Sequence, residues 1–389
     1  MNYEAQRMQQ IPFSGIRVIF ERASALQAQG HSIIPLYIGR PDFDTPEHIK
    51  QAAKDALDAG LTAYTSNYGL IELRQAIARK LTRDNAIQAD PHREIIVTVG
   101  TNEAISMTML GLLNPGDEII IPDPMWPHYL YCAALAEARV ISLPLLESNQ
   151  FQPDPDALEK LITTRTRMIV LNSPHNPTGM VIHEDILKAI IHIIEKHGLL
   201  LLSDEIYEHI LYDNAQHISP GAFESIREQT ITVNGFAKAY SMTGWRLGYV
   251  VANPSIINSL IRVHQYTTSS ATSFAQAGGI AALDGPQECV KEMVTQFAQR
   301  RAVLMQGLSQ IPGISCVEPS GAFYAFPNIS RLSSNSMQAA SELLEQTGVA
   351  LVPGSTFGNH GEGYLRISYA CSIEDIQQGM QRMYNHWSR

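Results

Sequence analysis

Residues 168–210 read MIVLNSPHNPTGMVIHEDILKAIIHIIEKHGLLLLSDEIYEHI, and this stretch decides the fold. It opens on four apolar residues (168–171) that run into a turn rich in Asn, Pro and Gly. Apolar positions then recur at helical spacing over 184–197, and a second apolar run, LLLS (200–203), follows. A strand, a helix and a strand in that order form the unit of a parallel sheet. Neither apolar run alternates with polar residues, so each strand is expected to be buried on both faces with helices covering the sheet.

The same texture continues outward. IIVTV (95–99) reads as a strand and the apolar spacing from Glu103 to Leu113 as a helix, closed by Asn114-Pro115-Gly116. EIII (118–121), RVISL (139–143) and TITV (230–233) are further strands, with helices near 127–136 and 155–163. RLGYVV (246–251) follows TITV after a short loop and reads as an antiparallel member. Past a long helix at about 286–309, GAFYAF (321–326), VALV (349–352) and LRISY (365–369) interleave with helices near 336–347 and 373–386. The pattern predicts an α/β chain with a second, smaller α+β domain. The expected division is an N-terminal arm plus part of the small domain at 1–45, a large domain at 46–290 and a small C-terminal domain at 291–389.

Composition excludes several classes. The 389 residues carry 28 Lys and Arg against 38 Asp and Glu, and a net charge of −10 is the opposite of a nucleic-acid-binding footprint. With 45% hydrophobic and 17% charged residues the chain fills a core and is too apolar to be disordered. Cys132, Cys289, Cys316 and Cys371 form no CxxC pair, which argues against a disulfide scaffold or a Cys-type zinc site and fits a reducing compartment. The start, MNYEAQRMQQIPFSG, lacks a signal-peptide layout, and the most apolar stretch (186–202) is broken by Lys188, Glu195 and Lys196, so no membrane span is expected. The expected location is the cytoplasm. Thirteen histidines include no HExxH or HxH, and His192 and His197 fall off a shared helical face, so no metal is expected. PGSTFGNHGEG (353–363) lacks the order of a dinucleotide fingerprint and reads as a mobile loop near Arg366, and no GxSxG elbow occurs.

Four segments place chemistry at strand ends, where open α/β sheets bind ligands. VGTNEA (99–104) runs from a strand through Gly100 into a helix start, which offers free N–H groups to a phosphate, although such a junction is commonly only a capped turn. NSPHNPTG (172–179) could aim a rigid amide at a ligand, or be an ordinary turn. Asp204 closes a strongly apolar strand, so it either begins a helix as its N-cap or faces a cation, with Tyr207 three residues on. In VNGFAKAYSMTGWRLGYV (233–250) only Lys238 and Arg246 are charged. A lysine in an apolar pocket can act as a Schiff-base amine and an arginine can grip a phosphate; either one alone is more often structural.

In chain order these segments resemble the fold-type-I pyridoxal-phosphate enzymes, specifically the class I/II aminotransferases of the aspartate-aminotransferase superfamily. NPTG, then DEIY, then K…MTGWR at these separations carry the resemblance, and IGRPDFDTP (38–46), AYTSNYGLIELRQAIA (63–78), PDPMWPHY (122–129) and LRIS (365–368) extend it nearly end to end. The resemblance implies a mostly parallel seven-stranded sheet flanked by helices, a smaller α+β domain, pyridoxal 5'-phosphate as cofactor, and amino transfer from an L-amino acid to a 2-oxo acid such as 2-oxoglutarate. By the same resemblance, Lys238 would hold the cofactor as an internal aldimine and shuttle a proton, and Asp204 would pair with the pyridine nitrogen. Asn176 and Tyr207 would bond the ring's phenolic oxygen, and Trp126 would stack on its face. Gly100, Thr101, Asn102 and Arg246 would hold the phosphate. Tyr64 would reach it from a second subunit, which implies a homodimer with shared sites. Arg366, with Asn176 and the Gly39 backbone, would bind the substrate carboxylate.

Some positions depart from the family's usual wording. Ala237 stands where Ser is frequent, Arg40 where Glu is, Asn102 where Lys or Ser is, and Met125 where Tyr is, while His175 sits beside the cofactor asparagine. None removes a required role. A lyase acting on a C–S bond would use the same lysine, aspartate and arginine, as would a synthase, decarboxylase or oxidase branch of the superfamily, so fold resemblance does not separate these from a transaminase. A non-catalytic relative is disfavoured by the presence of Lys238, Asp204, Arg246 and Arg366. Phe13, Ser14, Gly15, Ile16, Arg17 and Arg262 are the candidate walls for the substrate side chain, with Phe13 and Ile16 suggesting tolerance of apolar donors.

Overall fold

The computed structural model describes residues 3–388; residues 1 and 2 of the expected arm and residue 389 of the expected C-terminal domain lie outside the described residues. Strand β1 (Ile34–Pro35) precedes a seven-stranded sheet made of β2 (Ile95–Thr98), β3 (Glu118–Asp123), β4 (Arg139–Pro144), β5 (Thr166–Asn172), β6 (Leu200–Asp204), β7 (Thr230–Gly235) and β8 (Gly248–Val251). Its order is β2-β8-β7-β6-β5-β3-β4. All neighbours are parallel except β8, which runs antiparallel to both β2 and β7, as the short loop before it suggested.

Side-chain alternation along these strands explains why both faces are covered. Ile96, Ile119, Ile121, Met168, Val170, Leu202 and Val250 belong to one buried cluster, whereas Ile120, Ile169, Leu171 and Leu201 belong to another on the opposite face. Helix α1 (Gly15–Ala28) packs against residues 349–353 of the C-terminal part, and the cover comes from α2 (Glu47–Asp58), α3 (Ile71–Asn85), α4 (Gly100–Leu112), α5 (Pro127–Leu135), α6 (Pro155–Leu161), α7 (Glu184–His197), α8 (Pro254–Thr267) and α9 (Ser273–Asp284). Helix α4 starts earlier than its apolar spacing suggested, because the Glu103 carboxylate reaches back to accept the Val99 N–H at 2.6 Å.

Helix α10 (Glu288–Ser309) leads into the smaller α+β part, with β9 (Tyr324–Ala325), α11 (Ser336–Thr347), β10 (Val349–Ala350), β11 (Val352–Pro353), β12 (Leu365–Ser368) and α12 (Ile373–Trp387). Strands β11, β12 and β9 form an antiparallel sheet, and β1 pairs in parallel with β10, which ties the N-terminal stretch to the C-terminal part. GAFYAF is strand only at Tyr324–Ala325, since Ala322 takes a left-handed φ of 54° and Gly321 is packed against Pro174. The loop at 353–363 is tied to the end of β3 by hydrogen bonds. It forms two 3-10 turns whose Asn359 and His360 N–H groups are accepted by Asp123 at 3.2 and 3.1 Å.

Candidate active site

The register of the sheet assembles the site. Asn172 on β5 lies opposite Asp204 on β6, and Asp204 lies opposite Val233 on β7, so three strands end together. The turns that leave them carry Asn176, Tyr207 and Lys238, and with the α4 start and β12 they line a cavity of about 310 Å³.

Asp204 is buried at its floor. Its Oδ2 accepts the Tyr129 hydroxyl at 2.6 Å and its Oδ1 the Ile206 N–H at 3.2 Å. No helix begins here: the backbone turns after Asp204, so the helix N-cap reading does not apply. Burial pushes the carboxyl up to about 6, against the pull of the Tyr129 hydrogen bond. A cationic N–H brought by a ligand would meet an acceptor already desolvated for it.

The Lys238 amine opens onto the cavity from the other side. Its Nζ donates to the Gly39 carbonyl at 2.6 Å and lies 5.5 Å from the Tyr207 ring centre and 5.7 Å from that of Phe323. Burial, then the nearby Arg366 charge, lower its pKa to about 8, while Asp204 works the other way. A neutral, nucleophilic amine is therefore accessible near physiological pH.

At the α4 end, Gly100 has φ 76° and a Cβ placed on it would sit 2.6 Å from Arg246 Nη2. Only glycine leaves that gap between the guanidinium and the helix start. Arg246 itself is held by Thr243, whose carbonyl accepts Nη1 at 3.0 Å. The helix N-terminus plus an arginine is a built anion cradle.

Arg366 is buried between the rings of Tyr324 and Phe357, at 4.5 and 4.9 Å. It donates to Asn176 Oδ1 at 3.1 Å and to the Tyr37 carbonyl at 3.0 Å, and its Nε has no partner among the described residues. A buried guanidinium with no carboxylate hydrogen-bonded to it is set to receive one. Tyr324 also meets Tyr207, hydroxyl to hydroxyl at 2.9 Å.

Of the site residues read from the sequence, Gly39, Gly100, Thr101, Asn102, Trp126, Asn176, Asp204, Tyr207, Lys238, Arg246 and Arg366 all line the cavity. Tyr64 does not; it is 91% exposed. Among the candidate walls only Ile16 lines the cavity. Phe13 is 96% exposed, Arg17 pairs with Glu21 on its own helix, and Arg262 bonds the Asn258 carbonyl on α8, so these three are corrected as walls within the chain. Sequence reading gave no role to Tyr129 and Tyr324, and Asn172 entered it only as one of the two asparagines of the Asn–Pro turn. Tyr129 lay in PDPMWPHY and Tyr324 in GAFYAF, but their partners come from distant segments, whereas Asn172 accepts the Asn176 N–H at 2.9 Å within its own turn and donates to the Asp204 carbonyl at 3.0 Å.

These residues fit pyridoxal phosphate: a desolvated carboxylate, an amine of lowered pKa, an anion cradle that a Cβ would fill, and the Trp126 ring beside them in one cavity. The family described as aminotransferase class I and II matches residues 31–383. The chain is 41% identical to an aspartate aminotransferase of Pyrococcus abyssi and 39% identical to aromatic-amino-acid aminotransferase 2 of Thermococcus litoralis, in each case over 97% of both chains. The crystal structure of an aspartate aminotransferase from Rhizobium meliloti superposes with a TM-score of 0.96 at 36% identity, covering 100% of both chains. The chain belongs to the class I and II aminotransferases, the pyridoxal-phosphate-dependent enzymes that transfer amino groups.

Proposed function

We propose that this aminotransferase moves the amino group of an L-amino acid to 2-oxoglutarate, with aspartate and aromatic amino acids as the donors to test first. The observation that carries the reading is the pairing of the Lys238 amine and the buried Asp204 carboxylate across one cavity that also holds Arg366.

Bound pyridoxal phosphate supplies a conjugated ring that withdraws electrons from the donor's α-carbon. Asp204 would pair with the ring N–H, and Tyr129 orients that carboxylate. Lys238 would hold the cofactor through Nζ, and its amine, of lowered pKa, would be the group that carries the α-carbon proton. Gly100, Thr101, Asn102 and Arg246 would hold the phosphate, Trp126 and Ile206 would enclose the ring, and Asn176 and Tyr207 would bond its phenolic oxygen. Arg366 and the Gly39 backbone orient the α-carboxylate so that the bond to be broken is presented to the ring.

Two features support a dicarboxylic acceptor alongside apolar donors. Arg40 lines the cavity and has no acidic partner among the described residues, so a second cation is on hand for a distal carboxylate. Ile16 supplies an apolar wall. Phe13, Tyr64 and Tyr266, at 96%, 91% and 84% exposure, leave aromatic surface that a second copy of the chain would cover, in keeping with a homodimer in which Tyr64 reaches the partner's phosphate. We read the large domain as 46–290, flanked by the arm at 1–45 and the small domain at 291–389, and place the enzyme in the cytoplasm. No helix among the described residues is long and apolar enough to cross a membrane.

The test is the visible spectrum of the purified protein against single amino acids. A cofactor band that bleaches with particular donors and returns with 2-oxoglutarate is the expected result. A band that no donor bleaches, or none at all, would overturn the reading.

A further inference from the structure

The turn after β6 faces two ways. Asp204 and Tyr207 line the cavity, whereas Glu205 and Glu208 enter a buried network on the far side, against α3 and β7. Glu208 accepts from Lys80 Nζ, from Asn85 Nδ2 at 2.6 Å and from Asn234 Nδ2 at 2.6 Å. Glu205 accepts from His217 Nε2 at 3.0 Å and Asn85 Nδ2 at 3.3 Å. The ligand atoms of Glu205, Glu208 and His217 lie within 4.8 Å of one another, a spacing that could suit a metal ion. Here the cation is the Lys80 ammonium, and every oxygen of the two carboxylates already has a donor.

Stability alone is a poor account of such a pair, because a buried ion pair is often no better than an apolar pair of similar volume. Its geometry is more telling. Lys80 and Asn85 come from α3, Asn234 comes from β7 four residues before Lys238, and Glu208 immediately follows Tyr207. One carboxylate therefore ties together the two segments that bear Asp204, Tyr207 and Lys238. The Glu205 N–H adds a direct link, donating to the Val233 carbonyl of β7 at 2.9 Å. Moving either segment relative to the other would strip a buried charge of a donor, which makes the arrangement stiff.

We propose that Glu208, clamped by Lys80 and Asn234, is a positioning residue that sets the Asp204–Tyr207 turn against the Lys238 segment and so fixes the cofactor ring relative to the amine. This inference rests on the cofactor roles proposed above for those three residues.

The experiment uses the enzyme with its cofactor and two variants that leave no buried charge unpaired: the double variant Lys80→Met with Glu208→Gln, and Asn234→Ala. The double variant is expected to melt within a few degrees of wild type. Its kcat should nonetheless fall about tenfold or more, as small misplacements of reacting groups do. KM should stay within about twofold, the signature of a loss confined to the transition state. The cofactor's dissociation constant should rise, and the induced circular dichroism of its visible band should change, because the ring sits differently. Asn234→Ala should move the same readouts in the same direction and decides the matter if the double variant does not fold. Wild-type band, cofactor affinity and kcat in the variants would overturn the inference and leave the network purely structural. A wild-type protein with no visible band would instead overturn the cofactor reading beneath it, and this inference with it.

Discussion

Tyr129 donates its hydroxyl to Asp204 Oδ2 at 2.6 Å, joining helix α5 to the end of β6 beneath the cavity. The bond orients a carboxylate that burial disfavours, and the cofactor-free chain bears the cost of keeping it there.

That cost has a pH signature. Burial raises the Asp204 carboxyl from an ordinary 3.8 to about 6. The folded chain therefore holds this proton more tightly than the unfolded one. The associated stability is fully present below pH 3.8 and is lost as pH rises through 6. A gap of that size corresponds to about 3 kcal/mol. In the cofactor-free protein, Asp204→Asn should gain on wild type as pH climbs from 4 to 7, read by urea denaturation at each pH. With cofactor the order should reverse, since the amide cannot pair with a cationic ring nitrogen. A stability difference that does not vary with pH would refute the account.

Lys238 titrates in the opposite sense. Burial first, then the Arg366 charge, bring its amine down to about 8, so the nucleophilic form accumulates as pH rises through that value. The rate at which cofactor-free enzyme bonds to added cofactor should climb between pH 7 and 9 and then level off. Arg366→Met removes one of the lowering charges, so the midpoint should move up. Lys238→Ala should still bind cofactor without a covalent link, while turnover falls by about 10⁴-fold or more. Stopped-flow absorbance at a series of pH values checks the first two points, and steady-state assays the third.

The anion cradle depends on the absence of a side chain. Gly100→Ala places a Cβ 2.6 Å from Arg246 Nη2 at a φ of 76°, so either the guanidinium or the helix start must shift. The cofactor's dissociation constant should rise by about tenfold or more, in line with the loss of one charge-assisted hydrogen bond. Arg246→Lys should weaken binding as well, because an ammonium cannot grip a phosphate bidentately. Spectral titration of cofactor-free protein measures both. Unchanged affinity in Gly100→Ala would place the phosphate elsewhere.

The sheet and most of the cavity were legible in the sequence because their signals are local. Fully apolar runs between amphipathic helices declare buried parallel strands; Asp204 ends one such run, and Asn176 and Lys238 sit in the turns that follow two others. Contacts made between distant segments were not legible. Tyr129 reaches Asp204 from 75 residues away, and Tyr324 meets Tyr207 across 117. Nothing in either local sequence announces the partner. GAFYAF looked like a strand by composition, yet a left-handed Ala322 and the packing of Gly321 on Pro174 confine the ladder to two residues. Phe13 looked like a wall by its place in the arm, and the chain turns it to solvent.

Arg40 is where the substrate range can be tested. It adjoins Gly39, whose carbonyl accepts Lys238 Nζ at 2.6 Å, and it lines the same cavity as Arg366. A dicarboxylic acid anchored at Arg366 has a second carboxylate for Arg40 to attract, whereas an aromatic donor has no such charge to offer. Arg40→Ala should raise KM for 2-oxoglutarate and for aspartate by about tenfold, the scale of one lost charge-assisted contact at a partly solvated site. KM for phenylalanine or tyrosine should change little. The guanidinium is exposed, so the effect should shrink as salt is raised from 0.05 to 0.5 M on the order of the Debye screening of a surface charge. Steady-state kinetics with both donor classes at two salt concentrations separate the possibilities: a rise in KM shared equally by charged and aromatic donors would remove Arg40 from substrate selection.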